Sequence, residues 1–162
     1  MLSPKYLRTL LCLFLLSLSA AALAQKAPDF NLPSNNGHNI KLSDFKGQVV
    51  YVDFWASWCK PCRKSFPFMN SLQKKYGKQG LKVIAVNLDS DKDSAKTFLQ
   101  KNIAKFTVAY DADGETPEQF GLTVMPTTYL VDRQGNLVNV HKGFKKSQTD
   151  VIEKRVMKYL AR

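Results

Sequence analysis

The segment that most constrains this chain is Gln48–Arg63, which reads QVVYVDFWASWCKPCR. Its first half is an apolar run of strand-forming residues, and a pattern of helical period follows its second half. The cysteines Cys59 and Cys62 stand at this transition. A thiol at a helix N-terminus meets unpaired backbone N–H groups and the positive end of the helix dipole, which favour the thiolate. Because only the thiolate attacks a disulfide, the segment predicts a redox centre with the remaining chain as its scaffold.

Residues 1–24 have the pattern of a secretory signal peptide. Lys5 and Arg8 form a basic start, an apolar run (LLCLFLLSL) follows, and the tripeptide ALA supplies the small residues at the end. We therefore expect cleavage that leaves residues 25–162 as a single domain. An uncleaved membrane anchor is the alternative, although the apolar run is shorter than the about 20 residues that a span needs.

The predicted export of the chain bears on whether its cysteines are structural or reactive. Of the three cysteines, Cys12 lies in the leader, so the exported domain keeps only Cys59 and Cys62. Proteins stapled by structural disulfides carry several spaced pairs, and so close a pair closes too small a loop to stabilise a fold much. The pair is therefore predicted to serve chemistry, in the periplasm or, with the leader still attached, on the periplasmic side of the inner membrane.

Two other classes of function are disfavoured. A zinc site would need two further ligands, and the exported part offers only His38 and His141, neither at ligand spacing, so we expect no metal. The net charge of +11 comes from lysines scattered along the chain without a nucleic-acid-binding motif. We expect this charge to support solubility and steering toward acidic partners or anionic lipid, and we expect no nucleic-acid binding.

The exported part alternates strand and helix patterns. Units of strand, helix and strand imply parallel strands, and a hairpin adds antiparallel ones, so the sequence predicts a mixed α/β sheet covered on both faces. The predicted strands are 49–54, 81–88 and 106–110, with one hairpin around 34–37 and a second that pairs 127–131 with 137–141. The predicted helices are 59–76, kinked at Pro67, a second helix that begins at a capping box at 90–93, and two more at 116–120 and 147–160.

The spacing of the cysteines assigns them different roles. Cys59 begins the helix and is expected to face outward, whereas Cys62 lies one turn later, behind it. The Cys59 thiolate would attack a substrate disulfide, and Cys62 would then attack Cys59 to release the reduced product. Lys60 adds positive charge that favours the thiolate, and Pro61 suits the first helical turn, where a missing N–H costs little.

The run VDFWASWCKPC resembles the active-site segment of thioredoxins. Pro67, five residues after Cys62, matches the proline that kinks the thioredoxin helix, and Gly143 lies where thioredoxins carry a glycine beside the active site. The segment APDFNLPSNNGHNIKLSDFKGQVV and the strand–helix unit around Leu81–Lys101 resemble the exported TlpA/ResA branch. This resemblance covers residues 27–160. It implies a thioredoxin fold with a mixed central sheet, helices on both faces, an N-terminal hairpin extension and an inserted strand–helix unit.

The resemblance also implies roles for a second loop. The sequence VMPT resembles the cis-proline loop of thioredoxins, so Pro126 is expected to be cis and to lie against the dithiol. A proline at the edge of a sheet, just before a strand, is the alternative. The implied substrate-binding residues are Trp58, Lys60, Pro61, Met125 and Thr127.

Asp53 stands six residues before Cys59, where thioredoxins bury an aspartate behind the second cysteine. Burial without a partner would raise its pKa and suit it to accept the Cys62 proton, whereas the alternative is a solvated or hydrogen-bonded carboxylate at the strand's end.

The two tryptophans are expected to play different parts. Trp55 is expected to pack in the core, and Trp58 to lie on a docking surface with Met125 and Phe144, since an apolar rim around a nucleophile suits binding of thiol-bearing segments. His141 is predicted to be a strand residue without a catalytic role.

The leading hypothesis is a periplasmic thiol–disulfide oxidoreductase that reduces protein disulfides. Its expected partners are protein thiols and disulfides and a membrane thiol reductant, and we expect a monomer without a cofactor other than its redox-active disulfide. TlpA/ResA-type proteins often reduce dedicated substrates such as apocytochrome c, but the Lys60-Pro61 dipeptide identifies none. A thiol oxidase or disulfide isomerase is the alternative. A peroxiredoxin-type peroxidase is disfavoured because such enzymes carry a threonine three residues before the nucleophile, where this chain has Ala56. A non-enzymatic binding module is disfavoured because the dithiol is intact.

Overall fold

The computed structural model describes residues 25–162, so the predicted signal peptide, residues 1–24, lies outside the described residues. The strands and helices are β1 (Asn31–Pro33), β2 (Asn39–Lys41), β3 (Val49–Trp55), α1 (Lys60–Tyr76), β4 (Leu81–Asn87), α2 (Lys92–Lys101), β5 (Thr107–Tyr110), α3 (Glu115–Gln119), β6 (Thr127–Val131), β7 (Leu137–Lys142) and α4 (Thr149–Leu160). Among these described helices, none combines the length and the apolarity that a membrane span requires.

Strand β3 lies at the centre of a five-stranded sheet of order β5-β4-β3-β6-β7. It runs parallel to β4 and antiparallel to β6, while β4–β5 is parallel and β6–β7 antiparallel. The predicted mixed sheet is therefore confirmed, and β1 and β2 form the expected separate N-terminal hairpin. Because β3 has a neighbour on each edge and cover on each face, all seven of its residues are buried.

The two faces of β3 belong to two separate cores, as the period of a strand requires. One face joins α1, α2 and α4 in a core, and the other joins the end of α3 and the N-terminal segment. The β3 residues of the first face are Val49, Tyr51 and Trp55, and those of the second are Val50, Val52 and Phe54. Helices thus cover both faces, and the alternation places Asp53 on the face of α1, the helix that follows the dithiol.

The observed boundaries agree with the predicted ones to within two residues, but the predicted capping box at 90–93 is wrong. Asp91, not Ser90, is the N-cap of α2. Its carboxylate accepts the backbone N–H groups of Asp93 (3.0 Å) and Ser94 (3.2 Å). Two carboxylate oxygens can satisfy two orphan N–H groups at once, so the aspartate is the better cap at this turn.

Candidate active site

The two cysteines lie where the central strand β3 passes into α1. Cys59 is the N-cap of α1, it forms a disulfide with Cys62, and its sulfur accepts the Cys62 N–H at 3.3 Å. Cys59 keeps 5% of its surface exposed, whereas Cys62 keeps none. Cys59 is thus less open in the disulfide than expected, yet it is the cysteine of the pair that solvent reaches.

A shallow groove of about 550 Å³ opens at Cys59. Trp58 borders it with 69% of its surface exposed. The groove combines apolar side chains with one lysine, and it brings the loop before β6 next to the start of α1. Its lining residues are Trp58, Cys59, Lys60, Pro61, Leu122, Thr123, Val124 and Met125. Four of the five residues expected to bind substrate therefore share one surface.

The loop that completes this groove contains a cis peptide bond between Met125 and Pro126. The N–H of Gly143 donates to the Pro126 carbonyl at 2.7 Å. Gly143 holds this position with φ = 78°, a conformation that favours glycine, so this glycine ties the end of β7 to the loop.

Two sequence-based expectations need correction at this surface. Thr127 is fully buried, and its hydroxyl donates to the Val124 carbonyl at 2.6 Å, so its side chain shapes the loop and does not line the groove. Phe144 packs on Phe68 at 5.9 Å between ring centroids and lines a different groove, between α1 and α4, so it does not extend the surface around Trp58.

Asp53 is 1% exposed, so its carboxyl is not solvated. Its Oδ1 accepts the Thr128 hydroxyl at 2.7 Å, and its Oδ2 has no hydrogen-bond partner among residues 25–162. Burial raises the pKa of Asp53 from 3.8 to about 7, and the Thr128 hydrogen bond opposes part of that rise. The carboxyl can therefore change protonation state near neutral pH, on the sheet face that carries the cysteine core.

Trp55 and His141 occupy the same side of the sheet. Trp55 is fully buried, as predicted, with its ring 4.9 Å from that of Phe66 and 4.8 Å from that of Phe98. His141 lies on β7 opposite Thr128, and burial together with the charge of Arg155 lowers its pKa.

A hydrogen-bonded cluster that the sequence reading missed holds the loop before Cys59. The Asp89 carboxylate accepts the Ser57 N–H (2.9 Å), the Ser57 hydroxyl (2.9 Å) and the Asn87 side-chain amide (2.7 Å). Asp89 is 5% exposed and follows β4, so it attaches the active-site loop to the neighbouring strand. Asp89 lies just after a strand, as many loop aspartates do, so no local sequence pattern identifies it as part of this cluster.

Replacing Asp89 with alanine is expected to lower the free energy of unfolding by about 3 kcal/mol, because the buried Asn87 amide and the two half-buried Ser57 donors lose their carboxylate acceptor. Asp91→Ala is the matched control in the same connection. It removes an exposed helix cap and should cost about 1 kcal/mol. Urea unfolding of both variants measures the difference, and equal losses would show that the Asp89 cluster does not hold the loop.

The chain is similar in sequence to known proteins that carry out thiol–disulfide chemistry. The sequence model of the Redoxin family matches residues 22–156. Thiol-disulfide oxidoreductase ResA of Bacillus thuringiensis subsp. konkukian (strain 97-27) is 38% identical over 121 residues, covering 75% of this chain and 70% of the relative. ResA of Bacillus subtilis (strain 168) is 37% identical over 117 residues, covering 72% and 65%.

The fold has counterparts among solved structures. A crystal structure described as a thiol:disulfide interchange protein DsbE from Chlorobium tepidum superposes with a TM-score of 0.82 at 48% identity, covering 85% of this chain and 96% of the other. The lipoprotein thioredoxin Etrx1 of Streptococcus pneumoniae superposes with a TM-score of 0.71 at 31% identity, covering 81% and 99%. These relatives confirm the family and the thioredoxin fold predicted from VDFWASWCKPC. The chain belongs to the Redoxin family, among its thioredoxin-like thiol–disulfide oxidoreductases of the ResA/DsbE type.

Proposed function

We propose that this protein is a periplasmic reductase of protein disulfides that acts through Cys59 and Cys62. The observation that carries the proposal is the asymmetry of the pair. Cys59 opens on an apolar groove, while Cys62 is fully buried on the sheet face that also holds the Asp53 carboxyl. One sulfur can thus meet a substrate and the other is kept for an internal reaction.

The first step is attack by the Cys59 thiolate on a substrate disulfide. A sulfur–sulfur bond forms between Cys59 and one substrate sulfur, and the other substrate sulfur leaves with the electron pair. The Cys62 N–H, which points at the Cys59 sulfur, and the adjacent Lys60 favour the negative charge on the nucleophile.

The second step regenerates the disulfide seen here. Cys62 loses its proton to Asp53 and attacks the Cys59 sulfur, so that the remaining substrate sulfur departs as a thiolate. Two electrons pass from the dithiol to the substrate, and no bound cofactor is needed. A membrane thiol reductant must then return the Cys59–Cys62 disulfide to the dithiol, since an exported protein is remote from cytosolic reductants.

The reduction potential of the Cys59–Cys62 pair tests the direction of electron flow. Equilibration of the purified domain with glutathione redox buffers should give a value close to the about −270 mV of thioredoxin. A value near −120 mV, about that of a strong oxidant, would instead indicate that the same site works as a thiol oxidase. The resemblance to the TlpA/ResA branch supports the reductive direction and suggests oxidised apocytochrome c, whose disulfide would be reduced to thiols, as one substrate class.

The proposed location rests on the signal-peptide pattern and on the single cysteine pair of residues 25–162. Expression of the full chain followed by cell fractionation and intact-mass measurement tests it. A periplasmic product that begins at Gln25 supports cleavage, whereas a membrane-bound product of full mass indicates a retained anchor. Size-exclusion chromatography of the same product tests the expected monomer.

Trp58→Ala is expected to lower kcat/KM for reduction of a protein disulfide by about tenfold, because the exposed indole adds apolar contact area for a polypeptide at the groove. A small aromatic disulfide spans little of the groove and should be reduced at a nearly unchanged rate. Ile103→Ala is the matched control, since Ile103 is equally exposed (68% against 69%) and lies outside the groove. Equal losses on both substrates would contradict a docking role for Trp58.

A further inference from the structure

Three buried polar groups form a continuous chain across strands β3 and β6. Tyr51 and Asp53 lie on the same face of β3, and Thr128 on β6 is the direct cross-strand partner of Asp53. The Thr128 hydroxyl oxygen lies 2.7 Å from Asp53 Oδ1 and 3.1 Å from the Tyr51 hydroxyl oxygen. Tyr51 and Asp53 are each 1% exposed and Thr128 is 6% exposed, so solvent competes little for these contacts.

The count of hydrogens determines the direction of this chain. A threonine hydroxyl has one hydrogen, so Thr128 cannot donate fully to both neighbours. Burial and the nearby charge of Asp53 raise the pKa of Tyr51 and keep its hydroxyl protonated. The Tyr51 hydroxyl therefore donates to Thr128, and Thr128 donates to Asp53 Oδ1. Both hydroxyl dipoles then point toward the carboxylate, which stabilises its ionised form.

We propose that Tyr51 and Thr128 are positioning residues for the resolving step, because their hydroxyl chain stabilises ionised Asp53 and occupies Oδ1, leaving Oδ2 to accept the Cys62 proton. This inference rests on the proposed role of Asp53 in that step. The sulfur–hydrogen bond of Cys62 breaks as an oxygen–hydrogen bond forms at Oδ2. Oδ1 keeps the Thr128 hydrogen bond throughout, so the chain needs no rearrangement during the transfer.

Among residues 25–162, no charged side chain contributes to the pKa shift of Asp53. Its partner on β4 is Ala85, Cys62 belongs to the same core, and burial and the Thr128 hydrogen bond account for the shift of its pKa. The next titratable group along the row is His141 on β7, and Arg155 of α4 acts on that histidine and binds Asn139. The hydroxyl chain is therefore the local feature that opposes the rise of the Asp53 pKa caused by burial.

The test measures the titration of Asp53 without substrate, by carboxyl ¹³C NMR of the oxidised protein. Thr128→Val preserves side-chain shape and removes the hydroxyl, so the Asp53 midpoint should rise by about one pH unit. Tyr51→Phe should raise it by a smaller amount, and Thr128→Ser should restore the value of the unsubstituted protein. Thr107→Val is the matched control, since Thr107 is another strand threonine, 5% exposed, on β5.

The same variants are then compared in single-turnover release from the mixed disulfide as a function of pH. Thr128→Val should slow release about tenfold at pH 6 and converge with the unsubstituted protein above about pH 9, as a shift of one unit requires. An unchanged Asp53 midpoint in both Thr128→Val and Tyr51→Phe would overturn the inference, as would a Thr128→Ser shift as large as that of valine. If Asp53→Asn leaves the release rate unchanged, Asp53 is not the proton acceptor, and Tyr51 and Thr128 have no positioning role in this step. The titration without substrate separates this outcome from the other one, in which the hydroxyl chain does not change the pKa of Asp53.

Discussion

Replacing Cys62 with serine is expected to trap Cys59 in mixed disulfides with its protein substrates. Cys62 is the only other thiol of residues 25–162, and its attack on Cys59 is intramolecular. Loss of that pre-positioned attack leaves release to external thiols and should extend the lifetime of the adduct by about 10³-fold or more. Non-reducing electrophoresis of cells that export the variant, followed by mass spectrometry of the adducts, measures the trapping.

Cys59→Ser provides the matched control, because it removes the sulfur at the groove and keeps the buried one. It should abolish both disulfide reduction and trapping, and the double serine variant should behave in the same way. Adducts formed through Cys62 in the Cys59→Ser variant would contradict the assignment of roles. The trapped proteins also identify the substrates, which the Lys60-Pro61 dipeptide does not.

Asp53→Asn is expected to slow the resolving step by about 10²-fold at pH 7, the usual contribution of a positioned general base. Asparagine has nearly the same shape and can still accept the Thr128 hydrogen bond, so the loss reports on proton transfer. Single-turnover release from a preformed mixed disulfide isolates this step. A release rate equal to that of the unsubstituted protein would exclude Asp53 as the proton acceptor.

The same variant should be more stable than the unsubstituted protein at alkaline pH. The pKa of Asp53 is about 7 in the folded protein, against the ordinary aspartate value of 3.8, so between these values the folded state holds a proton that the unfolded state has lost. Stability conferred by Asp53 therefore falls as the pH rises from about 4, and above pH 7 the buried charge costs about 4 kcal/mol. Asp53→Asn lacks this titration, so urea unfolding should show its advantage at pH 8 and little difference near pH 4.

Asp29→Asn is a control of opposite sign. Burial alone would raise the pKa of Asp29, but hydrogen bonds from Ser43, Phe30 and Leu42 outweigh it and hold the pKa below its usual value. Loss of that ionised carboxylate should therefore lower stability at neutral pH. A uniform effect of both substitutions at every pH would show that proton linkage at Asp53 does not govern stability.

The sequence by itself determined the reactive chemistry and the order of the elements. A buried strand that ends at Cys59 and a helix that begins there follow from local patterns, because hydrophobic period and helix-start residues act over a few neighbouring positions. The length of β3 and the hairpin of β6 and β7 were predictable for the same reason. The apolar neighbours of Asp53 and the resemblance to thioredoxins favoured a buried carboxyl over a solvated one at the strand's end, and the structure buries it.

Tertiary structure alone decided which distant groups surround the reactive ones. Thr127 and Thr128 are adjacent and chemically alike, yet strand register directs only Thr128 to Asp53, 75 residues earlier in the chain. Asp89 likewise reaches Ser57 across 32 residues. Such pairings depend on how strands align in the sheet, and a shift by one residue would send every side chain to the other face. The protonation of the buried carboxyl is therefore a property of the assembled sheet, whereas the dithiol is a property of the sequence.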